Sequence, residues 1–108
     1  MPKKTTQKEE DVIEFSDIYK GSLNSDGRIA DYLGYTLIIE NVELTELQNL
    51  GQVGIVECTI PDLENLKVRL HTFSQVLIGQ LEVIKKYTDQ GKKVKVKVVK
   101  KKRYYTFE

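Results

Sequence analysis

The fold is decided by the stretch from Lys93 to Phe107, which reads Lys-Val-Lys-Val-Lys-Val-Val-Lys-Lys-Lys-Arg-Tyr-Tyr-Thr-Phe. Lysine and valine alternate with the period of two that is typical of a strand with one buried face. The pattern predicts a strand over Lys93–Val99, a tight basic turn near Lys100–Lys102 and a returning strand over Arg103–Phe107. In this hairpin the valines are expected to pack into a core while the lysines project from the other face.

One helix is predicted immediately upstream, from Ser74 to Gln90. Ser74 is a candidate N-cap, and it competes with Thr72 of a Thr-x-x-Gln capping box. Gly91 stands where a helix is expected to end. The apolar residues of the segment follow helical spacing, which predicts one buried face. They are Leu77, Ile78, Leu81 and Ile84.

Three further strands are predicted before the helix, over Tyr35–Leu44, Val53–Ile60 and Lys67–Phe73. In the first of them, Ile38, Val42 and Leu44 have the same parity and are expected to share a face. The inventory of about five strands and one packed helix indicates an α+β, mostly β protein. The architecture it favours is a small OB-like or partly open β-barrel or sheet.

The chain of 108 residues has the length of one domain. Residues 1–11 lack packing residues and are expected to form a disordered N-terminal arm, leaving 12–108 as a single β-rich domain. Within that domain, Val12–Phe15 is read as a short strand and Ser16–Gly21 as one helical turn.

Charge is divided unevenly along the chain. From Lys85 to the end there are ten Lys/Arg and two acids, whereas residues 1–84 hold seven Lys/Arg and fourteen acids. The net charge of +1 therefore conceals a basic end and an acidic remainder. A basic surface of this kind attracts polyanions, and nucleic acid above all.

Residues for catalysis or metal binding are sparse. The single cysteine, Cys58, excludes an internal disulfide, and one cysteine with one histidine does not make a zinc site. No nucleophile motif or phosphate-binding glycine loop occurs, so we expect no enzyme activity and no cofactor. No apolar run or leader segment suggests a membrane protein, and a cytoplasmic location is expected.

The basic hairpin supplies the first set of candidate nucleic-acid-binding residues. Lysines two residues apart on one strand face can contact successive phosphates, and aromatic rings nearby can stack on bases. The phosphate candidates are Lys93, Lys95, Lys97, Lys101 and Arg103. The stacking candidates are Tyr105 and Phe107, with Tyr105 expected to face outward. The alternative interpretation is a solvated edge strand on which the lysines prevent aggregation.

A second basic face is predicted on the strand over Lys67–Phe73. Lys67, Arg69 and His71 alternate with Val68 and Leu70, so they are expected to extend the binding groove from the exposed side. Phe73 ends this row but is interpreted as a core residue, and His71 by itself as an ordinary surface residue.

Two segments carry a resemblance to a known family. Phe73–Leu81 reads Phe-Ser-Gln-Val-Leu-Ile-Gly-Gln-Leu, and Val94–Phe107 is a basic strand followed by Tyr-Tyr-Thr-Phe. Together, over about a third of the chain, they resemble the C-terminal region of small single-stranded DNA-binding proteins of archaea and their viruses. The resemblance implies an OB-like scaffold, single-stranded DNA as the ligand and no catalysis.

Two function classes remain open from the sequence. The first is a non-catalytic protein that binds single-stranded nucleic acid, with DNA favoured over RNA. The second is a protein–protein interaction module or self-assembling subunit, including a possible homodimer, in which the basic end of one molecule meets the acidic part of another. The uneven charge motivates both classes and does not separate them.

Overall fold

The computed structural model describes residues 23–48 and 50–108. Within these residues it contains one complete α-helix, two short 3₁₀ turns and six strands. The helix is α1 (Gln75–Thr88), and the strands are β1 (Gly27–Arg28), β2 (Thr36–Leu47), β3 (Gly51–Ile60), β4 (Leu66–Thr72), β5 (Val94–Lys101) and β6 (Tyr104–Phe107). The predicted arm over residues 1–11, the strand over Val12–Phe15 and the turn over Ser16–Gly21 lie outside the described residues.

All six strands form one sheet in the order β1-β4-β3-β2-β5-β6. Strands β2, β3 and β4 form an antiparallel meander, α1 follows, and the β5–β6 hairpin returns so that β5 pairs with β2. This connectivity, on a sheet curled into a half-barrel, matches the OB-like or partly open barrel that the sequence predicts. The fold class is therefore confirmed as α+β, mostly β.

The core lies between α1 and one face of the curled sheet. Leu77 and Leu81 of α1 pack with Leu37 and Ile39 of β2, among other buried residues. Gly54 allows this close approach, because a Cβ atom there would lie 2.7 Å from the Cδ1 atom of Leu81. We call the sheet surface that faces α1 the inner face and the opposite surface the outer face.

The helix begins as the sequence predicts. The Ser74 hydroxyl accepts a hydrogen bond from the backbone N–H of Leu77 at 3.2 Å, which makes Ser74 the N-cap. Thr72 instead accepts a hydrogen bond from the backbone N–H of Ser74 at 3.0 Å. These two bonds fix the path of the chain from β4 into α1, and the competition between the two candidate caps is thus resolved in favour of Ser74.

Strand β2 contains an irregularity that its residue pattern does not predict. The pairing register with β3 shifts between Ile39 and Asn41, so Glu40 is an extra residue in the strand. Beyond this bulge the parity of the side chains is reversed. Leu37 and Ile39 reach the core before it, and Val42 and Leu44 after it. The prediction that Ile38 shares a face with Val42 and Leu44 is therefore wrong.

A second, smaller cluster covers part of the sheet away from the main core. Leu23 packs on Val53 and Ile55 of β3, and all three side chains are buried. The segment that follows Leu23 leads into β1, which pairs in parallel with β4. The chain from Leu23 to Arg28 consequently lies along β4 and over one end of the outer face.

Candidate functional site

The outer face carries rows of charged residues on four neighbouring strands. Cations come from β4 and β5, at the two sides of the face, and carboxylates from β2 and β3 between them. The cations are Lys67 and Arg69 on β4, and Lys93, Lys95 and Lys97 at the start of β5 and within it. The carboxylates are Glu40, Glu43 and Glu57.

The prediction for β5 is confirmed in its orientation. Val96 and Val98 are buried in the core, whereas Lys95 and Lys97 between and beside them are exposed. The β5–β6 turn consists of Lys102 and Arg103, one position later than predicted, since Lys101 pairs with Tyr104. Exposed cations thus continue from the strand into the turn.

Besides Lys100, four cations of this hairpin have no ion-pair partner among the residues that the structure describes. We call them, together with the exposed Tyr104, the basic strip: Lys95, Lys97, Lys102, Arg103 and Tyr104. A polyanionic ligand can therefore contact these cations without breaking an ion pair with a described residue.

Two carboxylates lie next to the basic strip: Glu40 lies beyond its start, and Glu108 is hydrogen-bonded through its backbone to Lys97. The Nζ atom of Lys93 lies 3.6 Å from Oε2 of Glu40, and Nζ of Lys101 lies 2.9 Å from Oε2 of Glu108. The hydrogen bond and charge of Lys101 hold the pKa of Glu108 below its usual value, and those of Glu108 raise the pKa of Lys101. Lys93 and Lys101, both predicted phosphate contacts, are therefore paired in this structure.

The two stacking candidates are placed differently from the prediction. Phe107 pairs with Val98 and is buried in the core, and Tyr105 packs against the same core and is half-buried. The expectation that Tyr105 faces outward is wrong, and so is the exposed position given to Phe107. Tyr104 is the outward ring instead, at 47% exposure.

The parity of the last strand explains this correction. Phe107 and Tyr105 share a face, and a phenylalanine that pairs with a buried valine fixes that face as the inner one. The strong tendency of phenylalanine to be buried was thus a signal in the sequence that could have identified Tyr104 as the outward ring. Lys100, on the same inner side as Tyr105, places its Nζ atom 5.6 Å from the centre of the Tyr105 ring, a cation–π contact.

On β4 the predicted alternation of cations and apolar residues is confirmed, but Lys67 and Arg69 both form ion pairs. The guanidinium of Arg69 contacts Glu57 at 3.0 Å and Glu43 at 3.1 Å, and its Nε donates to the carbonyl of Leu23 at 3.2 Å. Lys67 lies 3.5 Å from Oε2 of Glu40. Both residues project from the outer face, as predicted, and each one is matched by a carboxylate.

His71 does not lie on an exposed groove. Only 2% of it is exposed, because the segment after Leu23 covers this end of β4. Its Nδ1 atom is 2.8 Å from the Ser25 hydroxyl, and its ring meets the edge of Phe73 at 5.7 Å between centroids. The prediction of an exposed His71 is therefore wrong, since the residues that cover it are remote in sequence.

Glu40 occupies the centre of the outer face. Its Oε2 atom accepts a hydrogen bond from the Thr59 hydroxyl at 3.1 Å and lies within 3.6 Å of both Lys67 and Lys93. The hydrogen bond from Thr59, followed by the charges of the two lysines, lowers the pKa of Glu40. The carboxylate is thus ionised at neutral pH and bridges the β4 and β5 sides.

Other reactive groups give no catalytic arrangement within the described residues. Burial raises the pKa of the Cys58 thiol to about 12, so it is a packing residue rather than a nucleophile. No group of three His, Cys, Asp or Glu side chains there has the geometry to hold a metal ion. None of the helices described is long and apolar enough to cross a membrane.

Comparison of the chain with protein-family models, with curated proteins and with solved structures gives no match. The assignment of function accordingly rests on the surface itself.

Proposed function

We propose that this protein binds single-stranded nucleic acid without catalysing a reaction, and that the basic strip is its contact surface. The observation that carries the proposal is the row of cations on β5 and the β5–β6 turn that lack carboxylate partners in the described part of the chain. A cation already matched by a carboxylate gains little from a phosphate, whereas an unmatched one gains the full release of counterions.

The spacing of the strip suits an extended strand. Lys95 and Lys97 lie on the same face of β5, about 6.5 to 7 Å apart along the strand. This distance is close to the spacing of phosphates along an extended single strand. Lys102 and Arg103 add two cations in the turn after β5, so that the strip offers cations for up to four phosphates.

Tyr104 supports a single strand rather than a duplex as the ligand. Its ring is exposed beside the turn cations, where an unpaired base can stack on it. Bases in a duplex are already stacked on each other and do not offer this contact. The preference for DNA over RNA is supported by the resemblance of Phe73–Leu81 and Val94–Phe107 to single-stranded DNA-binding proteins.

Fluorescence anisotropy tests the proposal. A labelled oligo-dT of about ten nucleotides, within the range of OB-fold site sizes, is titrated at two salt concentrations, with a duplex and an oligo-U in parallel. We expect the single strand to bind best. If four phosphates are contacted, the logarithm of its association constant should fall by about 2.8 for each tenfold increase in salt concentration. Absence of binding to all three probes at low salt would contradict the proposal.

A matched pair of variants assigns the binding to the strip. Lys95→Gln with Lys97→Gln removes two strip cations, and we expect affinity to fall about tenfold or more at low salt. Lys85→Gln with Lys86→Gln makes the same change in net charge on α1 and is expected to have little effect. Equal losses in the two double variants would mean that binding follows net charge alone.

Self-association is a second candidate function, favoured by the outward side of α1. Val76, Val83 and Tyr87 are 40%, 55% and 48% exposed and follow helical spacing with Gly79. A Cβ atom on Gly79 would have no neighbour within 4 Å, so packing inside the molecule does not require glycine there. Glycine costs a helix stability, which suggests a second backbone that approaches closely at this point.

The same four residues are complementary to themselves about a two-fold axis. If two copies of α1 pack antiparallel, Val83 of one lies opposite Gly79 of the other, and Tyr87 lies opposite Val76. Each larger side chain then faces a smaller one, and each of these contacts occurs twice, as in an isologous interface. A second copy of this chain is the partner that this register fits.

Sedimentation velocity over a range of protein concentrations tests self-association. Gly79→Ala should raise the free energy of unfolding by roughly 0.5–1 kcal/mol and yet weaken the dimer, because the added methyl group separates the helices. Val83→Asp should abolish the dimer, whereas Glu82→Gln should leave it intact. A monomer at every concentration would exclude this candidate.

A further inference from the structure

The acidic residues of the outer face are arranged as a barrier between its two basic sides. Glu40 and Glu43 come from β2, and Glu57 from β3. Each of them is within 3.6 Å of at least one cation of β4 or β5. A polyanion that crossed the middle of this face from β5 to β4 would approach these carboxylates.

Two features make the β4 side a poor place for a polyanion. Arg69 is matched by two carboxylates and tied to the Leu23 carbonyl, so the approach of a phosphate would have to break those contacts. The segment from Leu23 to Arg28 also covers this end of the sheet. In OB folds the face of the second and third barrel strands, here β3 and β4, commonly carries the oligonucleotide.

We infer that the row of Glu40, Glu43 and Glu57 confines a bound polyanion to the β5 side, where Glu40 competes with ligand phosphates for Lys93. This inference rests on the proposed function for the identity of the ligand. The path of the ligand then follows β5 into the β5–β6 turn instead of crossing the barrel. Lys93 joins the contact surface only when a phosphate displaces the Glu40 carboxylate.

The position of Glu40 makes it a fixed competitor. The bulge in β2 places it on the outer face, and the hydrogen bond from Thr59 orients the carboxylate toward both lysines. A flexible surface glutamate could move away from an incoming phosphate without cost. Glu40 is instead held 3.6 Å from Lys93, so a ligand must compete with it directly.

Glu40→Gln tests the inference, with Glu82→Gln on α1 as the control of equal charge. The probes are an oligo-dT in anisotropy and immobilised heparin, a polyanion that is not a nucleic acid. We expect Glu40→Gln to bind oligo-dT about three- to tenfold more tightly than Glu82→Gln. The slope of log association constant against log salt concentration should become steeper by about 0.7, as one more phosphate is contacted. Adding Lys93→Gln to Glu40→Gln should remove most of this gain.

The two probes separate failure of the inference from failure of the proposed function. If neither variant binds oligo-dT but Glu40→Gln elutes from heparin at higher salt than Glu82→Gln, the competition by Glu40 stands and the nucleic-acid proposal fails. If the wild-type protein binds oligo-dT but the two variants behave alike on both probes, the inference is overturned. Similar behaviour on heparin without any binding of oligo-dT overturns both.

Discussion

The two sides of the outer face have similar sequences and different electrostatics. On β4, Lys67 and Arg69 alternate with apolar residues, and on β5, Lys95 and Lys97 do the same. Arg69 contacts two carboxylates and Lys67 one, whereas neither β5 lysine forms an ion pair with any residue that the structure describes. The pairing register produces the difference. Arg69 lies opposite Glu57 of β3, whereas Lys95 and Lys97 lie opposite the uncharged Ile38 and Thr36 of β2.

This difference shows that the number of cations on a strand does not measure the charge available to a ligand. The cations of β4 form ion pairs, and Arg69 also contacts the Leu23 segment, whereas Lys95 and Lys97 of β5 form no ion pair with the described residues. Only the latter can release counterions when a polyanion binds. The following variants test this distinction between a structural and a binding role.

Charge reversal on the β5 side is expected to have the largest effect. Lys95→Glu, Lys97→Glu and Arg103→Glu together should weaken binding of oligo-dT on the order of 100-fold or more, because three attractions become repulsions. Anisotropy measures the affinity, and circular dichroism checks that the exposed substitutions leave the fold intact. Retained affinity in a folded triple variant would refute the role of the basic strip.

Tyr104 and Tyr105 should differ in what each substitution damages. Tyr104→Ala removes an exposed ring, and we expect a loss of about 1–3 kcal/mol of binding free energy if a base stacks there. Tyr105→Ala removes a ring packed on the core, and should lower the free energy of unfolding instead. Urea denaturation measures the stability of both variants, and anisotropy measures their affinity for oligo-dT. A loss of stability in Tyr104→Ala together with a loss of affinity in Tyr105→Ala would show that the outward ring is Tyr105.

On β4, loss of Arg69 should reduce stability without reducing affinity. Arg69→Gln removes two ion pairs and the bond to the Leu23 carbonyl, and we expect the free energy of unfolding to fall by about 1–2 kcal/mol. Lys67→Gln, at a lysine whose side chain is 73% exposed, should cost less than about 0.5 kcal/mol. A large drop in oligo-dT affinity in either variant would extend the binding surface to β4.

The smallest expected effect is the pH dependence that Glu40 adds to stability. Its pKa in the folded protein lies below the ordinary 4.5, so its ionised form favours folding. That contribution is present above pH 4.5 and is lost as the pH falls through the folded pKa. Wild type should therefore exceed Glu40→Gln in stability by less than about 1 kcal/mol at pH 7. A difference that persists at pH 3 would contradict this assignment.

The sequence was sufficient to predict most of the fold. Alternation of Val94, Val96 and Val98 with lysines identified β5 and its buried face, and Ser74 identified the start of α1. These features depend on residues that are close together in the chain. Strand and helix periodicity report local burial directly, which is why the class and the order of elements could be derived.

The wrong face given to Tyr105 and Phe107 was a local error that the burial habit of Phe107 could have prevented, and the other errors concern contacts between distant parts of the chain. Nothing local in the sequence around Ile38 marks Glu40 as a bulge, and one extra residue reversed the parity of β2. Burial of His71 depends on a segment that ends more than forty residues earlier. The carboxylates that match Arg69 lie on neighbouring strands, so their effect follows from pairing register and not from composition.

Chemical-shift mapping of the ¹⁵N-labelled protein with unlabelled oligo-dT separates the β5 side from the β4 side residue by residue. We expect the amide signals that move most to belong to β5, the Lys102–Arg103 turn and Tyr104, while those of Lys67 and Arg69 stay nearly unchanged. The largest shifts on β3 and β4, or no shifts at all with excess oligonucleotide, would refute the assignment of the contact surface to the basic strip.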